Sequence, residues 1–180
     1  PTTMWSSGNL GISLSLSYDG NVLAIGANQY NSSSGAVVVL RRSGTTWVQS
    51  ATIVPPVYAA NIGLGTRVRL SADGNTIVSG ASGVTGAMYT SYIFEYVASA
   101  WQNTGKFYNS AYTKDIVLSS DGTTICQGSG TASASYENFS INTRVKAGGV
   151  WSSIPAVAPL GAIKTAFGYE LAISADGKIL

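Results

Sequence analysis

The sequence predicts an all-β protein, a β-propeller of four-stranded antiparallel blades present as about three complete blades and two partial ones. Three observations carry that expectation. A Leu/Ile-Ser-x-Asp-Gly motif recurs four times, at Leu16–Gly20, Leu70–Gly74, Leu118–Gly122 and Ile173–Gly177, with steps of 54, 48 and 55 residues between the aspartates. Each Asp-Gly separates two segments in which apolar residues alternate with polar or small ones, the pattern of a half-buried strand pair. A tryptophan then follows at a constant distance: Trp47, Trp101 and Trp151 lie 28, 28 and 30 residues after the first three aspartates. A period of about 40–55 residues built from strands and turns is the signature of a repeat architecture, most often a propeller.

The elements of one repeat follow in order. Asp-Gly between alternating segments predicts a two-residue type I′ hairpin turn, which needs positive φ at both central positions. That turn fixes the register: Leu16 faces Leu23, Leu14 faces Ile25, Leu70 faces Ile77, Leu118 faces Ile125 and Ile173 faces Leu180, with Val68 opposite Ser79 and Ile116 opposite Gln127. Apolar cross-strand pairs on one face stabilise a hairpin that packs against a neighbour. A small-residue turn comes next (Gly26-Ala27, Gly80-Ala81, Gly128-Ser129), then a variable loop. A third strand is expected over Ala36–Arg42, Met88–Val97 and about Asn138–Lys146. A short Gly- or Ser-containing turn leads into the tryptophan, which is expected to wedge between adjacent sheets. One such unit cannot bury its own faces, so neighbours are obligatory.

The whole of residues 1–180 is expected to form one propeller, with blades over roughly 8–54, 62–104 and 110–154. Residues 1–7, with Trp5, look like the last strand of an earlier blade, and 165–180 like a first strand, a turn and the start of a second. Propellers close with about four to eight blades, so the expectation is a fragment of a longer protein. A self-assembling partial propeller is the alternative.

Composition narrows the function. Only 10% of the 180 residues are charged, the net charge is +2, and the basic pairs Arg41-Arg42, Arg67/Arg69 and Arg144/Lys146 are scattered. Such pairs read as solvated faces, and without a continuous basic stripe nucleic acid is not expected as a partner. No apolar run is long enough to span a membrane. Cys126 is the sole cysteine and there is no histidine; in an apolar strand, with no basic neighbour to lower its pKa, Cys126 reads as a small core residue. Four of the eight acidic residues belong to the Asp-Gly turns, leaving Glu95, Asp115, Glu137 and Glu170, one to a repeat and without paired spacing. With the usual histidine general base absent, the chain is expected not to be an enzyme and to carry no catalytic residue, cofactor or metal. A carboxylate-dependent hydrolase, its acids meeting across the propeller's centre, is the weaker alternative.

Written out, the unit runs Leu/Phe-Gly (Leu10-Gly11, Leu64-Gly65, Phe167-Gly168), the Ser-x-Asp-Gly turn, Gly-Ala (Gly26-Ala27, Gly80-Ala81), then a Val-rich strand and Gly-x-x-Trp. This resembles the FG-GAP repeat of integrin-α-type propellers, in the divergent form of bacterial, algal and viral surface proteins. The third repeat departs, with Tyr112-Thr113-Lys114 in place of the opening pair. The resemblance implies an extracellular, cell-surface or virion-surface propeller that binds protein or glycan. Family calcium loops carry a D-x-D-x-D-G pattern that no Asp-Gly here matches, so no calcium site is carried over. The expected function is therefore a non-enzymatic binding or adhesion propeller. The alternative is a structural component of a large assembly, such as a virion or extracellular layer, with neighbouring subunits as partners. Binding residues are sought in the variable loops, where Tyr30, Tyr58 and Tyr136 offer rigid amphipathic contacts. Asn31 and Asn138 lie in N-glycosylation patterns.

Overall fold

The computed structural model describes residues 8–57, 60–81, 89–109, 112–130, 139–157 and 170–180. Their twelve strands form three four-stranded antiparallel sheets of the propeller type, each ordered as the chain runs. The first holds β1 (Leu10–Leu16), β2 (Val22–Ala27), β3 (Ala36–Ser43) and β4 (Thr46–Ile53). The second holds β5 (Leu64–Leu70), β6 (Thr76–Ala81), β7 (Tyr89–Val97) and β8 (Ala100–Asn109). The third holds β9 (Tyr112–Leu118), β10 (Thr124–Gly130), β11 (Phe139–Ala147) and β12 (Val150–Val157). The fourth repeat supplies the hairpin turn at Ser174–Ile179, closed by Ser174 N–H donating to the Ile179 carbonyl at 2.8 Å. Residues 1–7 and 158–169, with Trp5 and Phe167-Gly168, lie outside the described residues, as does Met88. Among the described residues no helix is long and apolar enough to cross a membrane.

The register is the expected one, but the turn is not. Leu16 pairs with Leu23, Leu14 with Ile25, Leu70 with Ile77, Val68 with Ser79, Leu118 with Ile125 and Ile116 with Gln127. A type I′ turn would put both aspartate and glycine at positive φ, yet only the glycines are there: Gly20, Gly74, Gly122 and Gly177 have φ of 67°, 71°, 72° and 71°. The motif's serine explains the difference. Ser17 N–H closes the loop on the Val22 carbonyl at 2.9 Å, so four residues, Tyr18–Asn21, make the turn. Ser17 Oγ donates to Asp19 at 2.6 Å and accepts from Val22 N–H at 2.9 Å, while Asp19 accepts from Asn21 N–H at 3.0 Å. The same bonds recur from Ser71 to Asp73, Ser119 to Asp121 and Ser174 to Asp176. A side chain that hydrogen-bonds to backbone two residues on stabilises a local turn without a positive φ of its own.

These turns are also stitched to one another. Tyr18 N–H donates to the Ala72 carbonyl, Ala72 N–H to Ser120 and Ser120 N–H to Ala175, at 2.9, 2.9 and 3.0 Å. The variable residue of one motif thus holds the same residue of the next, in four successive repeats.

The core lies between the sheets. One face of the first sheet (Val22, Ala24, Val37, Val39, Ile53) packs on Leu64, Val68, Leu70, Ile77, Tyr92 and Phe94 of the second. Val78, Ile93 and Phe107 on the second sheet's other face pack on Ile116 and Ile125 of the third. Val117, Cys126 and Ile141 then meet Leu171 and Ile173 of the fourth repeat. Trp101 and Trp151 pack into the first and second of these seams, as wedges between sheets. The face of the first sheet that turns away from the second carries the equivalent residues without a cover: Leu14 and Leu16 are 56% and 53% exposed, against 0% and 8% for Val68 and Leu70. Cys126 is buried, its thiol pushed up by desolvation and 3.5 Å from the Thr143 hydroxyl.

Backbone crosses backbone closely at the first seam. A Cβ on Gly26 would lie 1.9 Å from the Gly65 carbonyl oxygen, although Gly26 has an ordinary φ. Gly11 has φ of 97° and open space around its missing Cβ. Gly26→Ala is expected to destabilise by about 3 kcal/mol through overpacking, and Gly11→Ala by about 1–2 kcal/mol through backbone strain alone. Urea denaturation measures both; the reverse order would contradict this seam geometry.

The turn aspartates give a pH signature. The Ser17, Ser119 and Ser174 hydroxyls are the chief cause that holds Asp19, Asp121 and Asp176 below the ordinary aspartate value of 3.8. For Asp73 burial is the largest influence and pushes upward, but the Ser71 hydroxyl and Asn75 N–H outweigh it. A carboxyl depressed in the folded state contributes stability above its unfolded pKa and loses it as pH falls through the folded value. Thermal stability should therefore fall below about pH 4. Ser71→Ala with Ser119→Ala should flatten that acid limb, and an unaltered limb would show that the turns do not set it.

Candidate functional site: a charged cleft between the first strands

The first strand of each sheet has an open edge, and its N–H groups need acceptors. At the first seam, Ser13 Oγ accepts from Val68 N–H and Ser15 Oγ from Leu70 N–H, both at 2.9 Å. Counting by the repeat, the position of Ser13 becomes Arg67, Asp115 and Glu170 in the next three units. Asp115 does the same work as Ser13, accepting from Leu171 N–H at 3.1 Å. Arg67 cannot, because a guanidinium has no acceptor. The N–H that Arg67 would serve, that of Ile116, turns instead to Asp115 Oδ1 at 2.9 Å, and Arg67 Nε donates to the Lys114 carbonyl at 3.3 Å.

The result is a cleft of about 360 Å³ lined by Arg67, Arg69, Lys114, Asp115, Glu170 and Leu171. Three cations and two carboxylates from three repeats converge there. Asp115 is mostly buried and pairs with Arg69 at 2.9 Å, its side chain 12% exposed against 33% for the arginine. It is thus fixed by three donors and organises the wall. Glu170 is exposed at the mouth of the cleft. The expectation that Arg67/Arg69 and Arg144/Lys146 are solvated faces is corrected: neither pattern nor spacing sees the neighbouring sheet. Arg69 bridges to the third sheet, and Lys146 reaches back to Glu95 on the second at 2.8 Å.

The remaining acids separate in role. Glu95 accepts from Lys146 Nζ and, at 3.0 Å, from the Trp151 indole N–H, so it is a strut of the second seam. Asp115 and Glu170 share the cleft. Glu137 lies outside the described residues, as do Tyr58, Tyr136 and Asn138. Tyr30 sits in a short turn at Tyr30–Ser33 in which Asn31, Ser32 and Ser33 all have positive φ, and Asn31 is exposed there. That turn is braced against the second sheet's entry, its Ser33 carbonyl accepting from Gly63 N–H at 2.8 Å. The third repeat's missing glycine is accounted for as well. Thr113 stands where Gly65 stands, and its hydroxyl accepts from the buried Gln127 amide at 2.5 Å, while Ser91 donates to that amide's oxygen at 2.8 Å.

Asp115→Ala should cost about 2–4 kcal/mol, since it strands Arg69 and two backbone N–H groups. Asp115→Asn, which keeps one acceptor oxygen and turns the other into a donor, should cost less, about 1–2 kcal/mol. Equal losses in urea denaturation would contradict the bridging role.

No protein-family model matches the chain, and no curated protein matches it in sequence. Solved structures do match it in fold. A candidate 6-phosphogluconolactonase of Bacteroides uniformis superposes with a TM-score of 0.61 at 15% identity, over 92% of this chain and 45% of that one. A second, from Bacteroides fragilis, gives 0.57 at 14% over 80% and 38%. Hydrazine synthase of Kuenenia stuttgartiensis gives 0.58 at 19% over 92% and 47%. The chain thus spans less than half the length of these structures. At such identities the likeness establishes the propeller-type fold, and it does not single out the FG-GAP repeat. It also corrects the expected function. The first two neighbours carry the name of an enzyme, 6-phosphogluconolactonase, so the non-enzymatic adhesion propeller is not carried further.

Proposed function

We propose that this is a hydrolase-like propeller, with three complete blades and part of a fourth in this chain, whose central cleft opens a small anionic ester or lactone. One observation carries the reading: Arg67, Arg69, Lys114, Asp115 and Glu170 line a single cleft although they come from three repeats. The lactonase names of two structural neighbours agree with it. Glu170 is the general base. It takes a proton from water as the water oxygen bonds to the ester carbon; the ring C–O bond then breaks, and the ring oxygen leaves with the proton returned by Glu170, giving a hydroxy acid and the free carboxylate base. Arg67 holds the substrate's anionic group and steadies the oxyanion. Asp115 positions Arg69 and the Leu171 backbone around them.

The test is a pH-stat assay of the full-length protein with glucono-δ-lactone and its 6-phosphate. Expected are hydrolysis above the buffer rate, a fall in kcat of about 100-fold or more in Glu170→Gln, and a raised KM for the phosphorylated lactone in Arg67→Gln. Hydrolysis no faster than buffer with either lactone, or undiminished in Glu170→Gln, would overturn the proposal.

A further inference from the structure

Every seam joins two halves of opposite kind, and the halves recur along the chain. The giving half is the side of a repeat that faces the next one. In the first sheet it holds Val22 and Ala24, and in the third Val117 and Cys126. The receiving half faces back, with Val68 and Leu70 in the second sheet and Leu171 and Ile173 in the fourth repeat. Three contacts set their register. Ser13 accepts from Val68 N–H, as Asp115 does from Leu171 N–H. Val22, Thr76 and Thr124 sit where a Cβ on the next turn glycine would be, at Gly74, Gly122 and Gly177. Each turn donates to the next through Tyr18, Ala72 and Ser120.

Among the described residues, one half of each kind has no repeat against it. The first sheet presents a receiving half. Leu14 and Leu16 stand where Val68 and Leu70 stand, yet both are more than half exposed, and Gly20 has open space around its missing Cβ. The fourth repeat presents a giving half. Ile179 stands where Val22 stands, 73% exposed against 4%, and exposed Glu170 stands where Ser13 and Asp115 stand.

These two halves match in chemistry. Glu170 is an acceptor like Ser13 and Asp115, unlike Arg67, and the repeat aligns it with Leu14 N–H. Ile179 carries a branched apolar side chain like Val22 and aligns with the open Gly20. Ala175 N–H aligns with the Tyr18 carbonyl and would extend the turn series. Leu14, Leu16 and Ile179 together form apolar surface of the kind that association covers.

We propose that the fourth repeat of one copy docks on the first sheet of a second copy, and reciprocally, so that two chains close one ring. The two copies bring eight of these repeats, within the four to eight blades at which propellers close. The contact is head-to-tail, joining different surfaces of the two chains. Glu170 serves the seam with one oxygen and keeps the other in the cleft, as Asp115 divides its oxygens between Leu171 and Arg69. The contact stands on the seams alone and does not depend on the hydrolase reading.

The test is sedimentation equilibrium of the full-length protein over a concentration series. Expected is the mass of two chains. Leu14→Lys with Leu16→Lys should reduce it to the mass of one chain, and so should Ile179→Lys at the other end. Both variants should keep the wild-type circular dichroism, since these side chains are exposed in the single copy. Mixed in equal parts, the two variants should form dimers again, because each retains the half that the other has lost. A wild-type monomer, polymers that lengthen with concentration, or a dimer indifferent to Ile179→Lys would each overturn the proposal, as would variants that stay monomeric when mixed.

Discussion

The open edge of each first strand is the constraint on which the rest of this molecule depends. A sheet whose first strand leaves N–H groups unpaired invites association with other chains. Here the preceding sheet supplies acceptors from its own first strand, at Ser13, Ser15 and Asp115. Those bonds hold successive sheets at a spacing where Val22, Val37 and Val39 can bury against Val68 and Ile77. The turn-to-turn bonds from Tyr18 to Ala175 repeat the same solution at the hairpin ends. Burial and hydrogen bonding therefore reinforce each other at every seam.

The same position lines the candidate cleft. Where the repeat needs only an edge acceptor, a serine suffices. Where Arg67 takes that position, the next edge must be served another way, and Asp115 does so by accepting from its own neighbour Ile116 while it also serves Leu171. The charged side chains gathered there make up the cleft wall. Fold and candidate site are thus two uses of one set of positions, which is how a repeat architecture generates a varied centre from uniform parts.

Much of this was legible in the residues. The aspartate period gave the number of hairpins, and alternation fixed Leu16 opposite Leu23 and Leu70 opposite Ile77, because a slip by one residue would turn every apolar side chain to the wrong face. The tryptophan spacing pointed to a wedge, as Trp101 and Trp151 are. The turn type differs from the type I′ expectation because the Ser17 hydroxyl braces a four-residue loop, a bond that the Asp-Gly pair alone does not show. The cleft was missed because its members lie 48 and 55 residues apart and belong together only when equivalent positions of successive repeats are read side by side: Ser13, Arg67, Asp115, Glu170. Contacts between sheets, such as Lys146 with Glu95, leave no trace in local spacing.

The central claim is that first-strand acceptors, Ser13 and Ser15 of the first sheet and Asp115 of the third, close the edge of the repeat that follows, and amide hydrogen exchange tests it most directly. In the wild-type protein the Val68 and Leu70 amides should exchange as slowly as the ladder amides of β6. Ser13→Ala should speed exchange at Val68 by about tenfold, the worth of one hydrogen bond, and leave Ile77 unchanged. Val68 exchanging at the rate of an open edge in the wild type, or unaffected by Ser13→Ala, would contradict it.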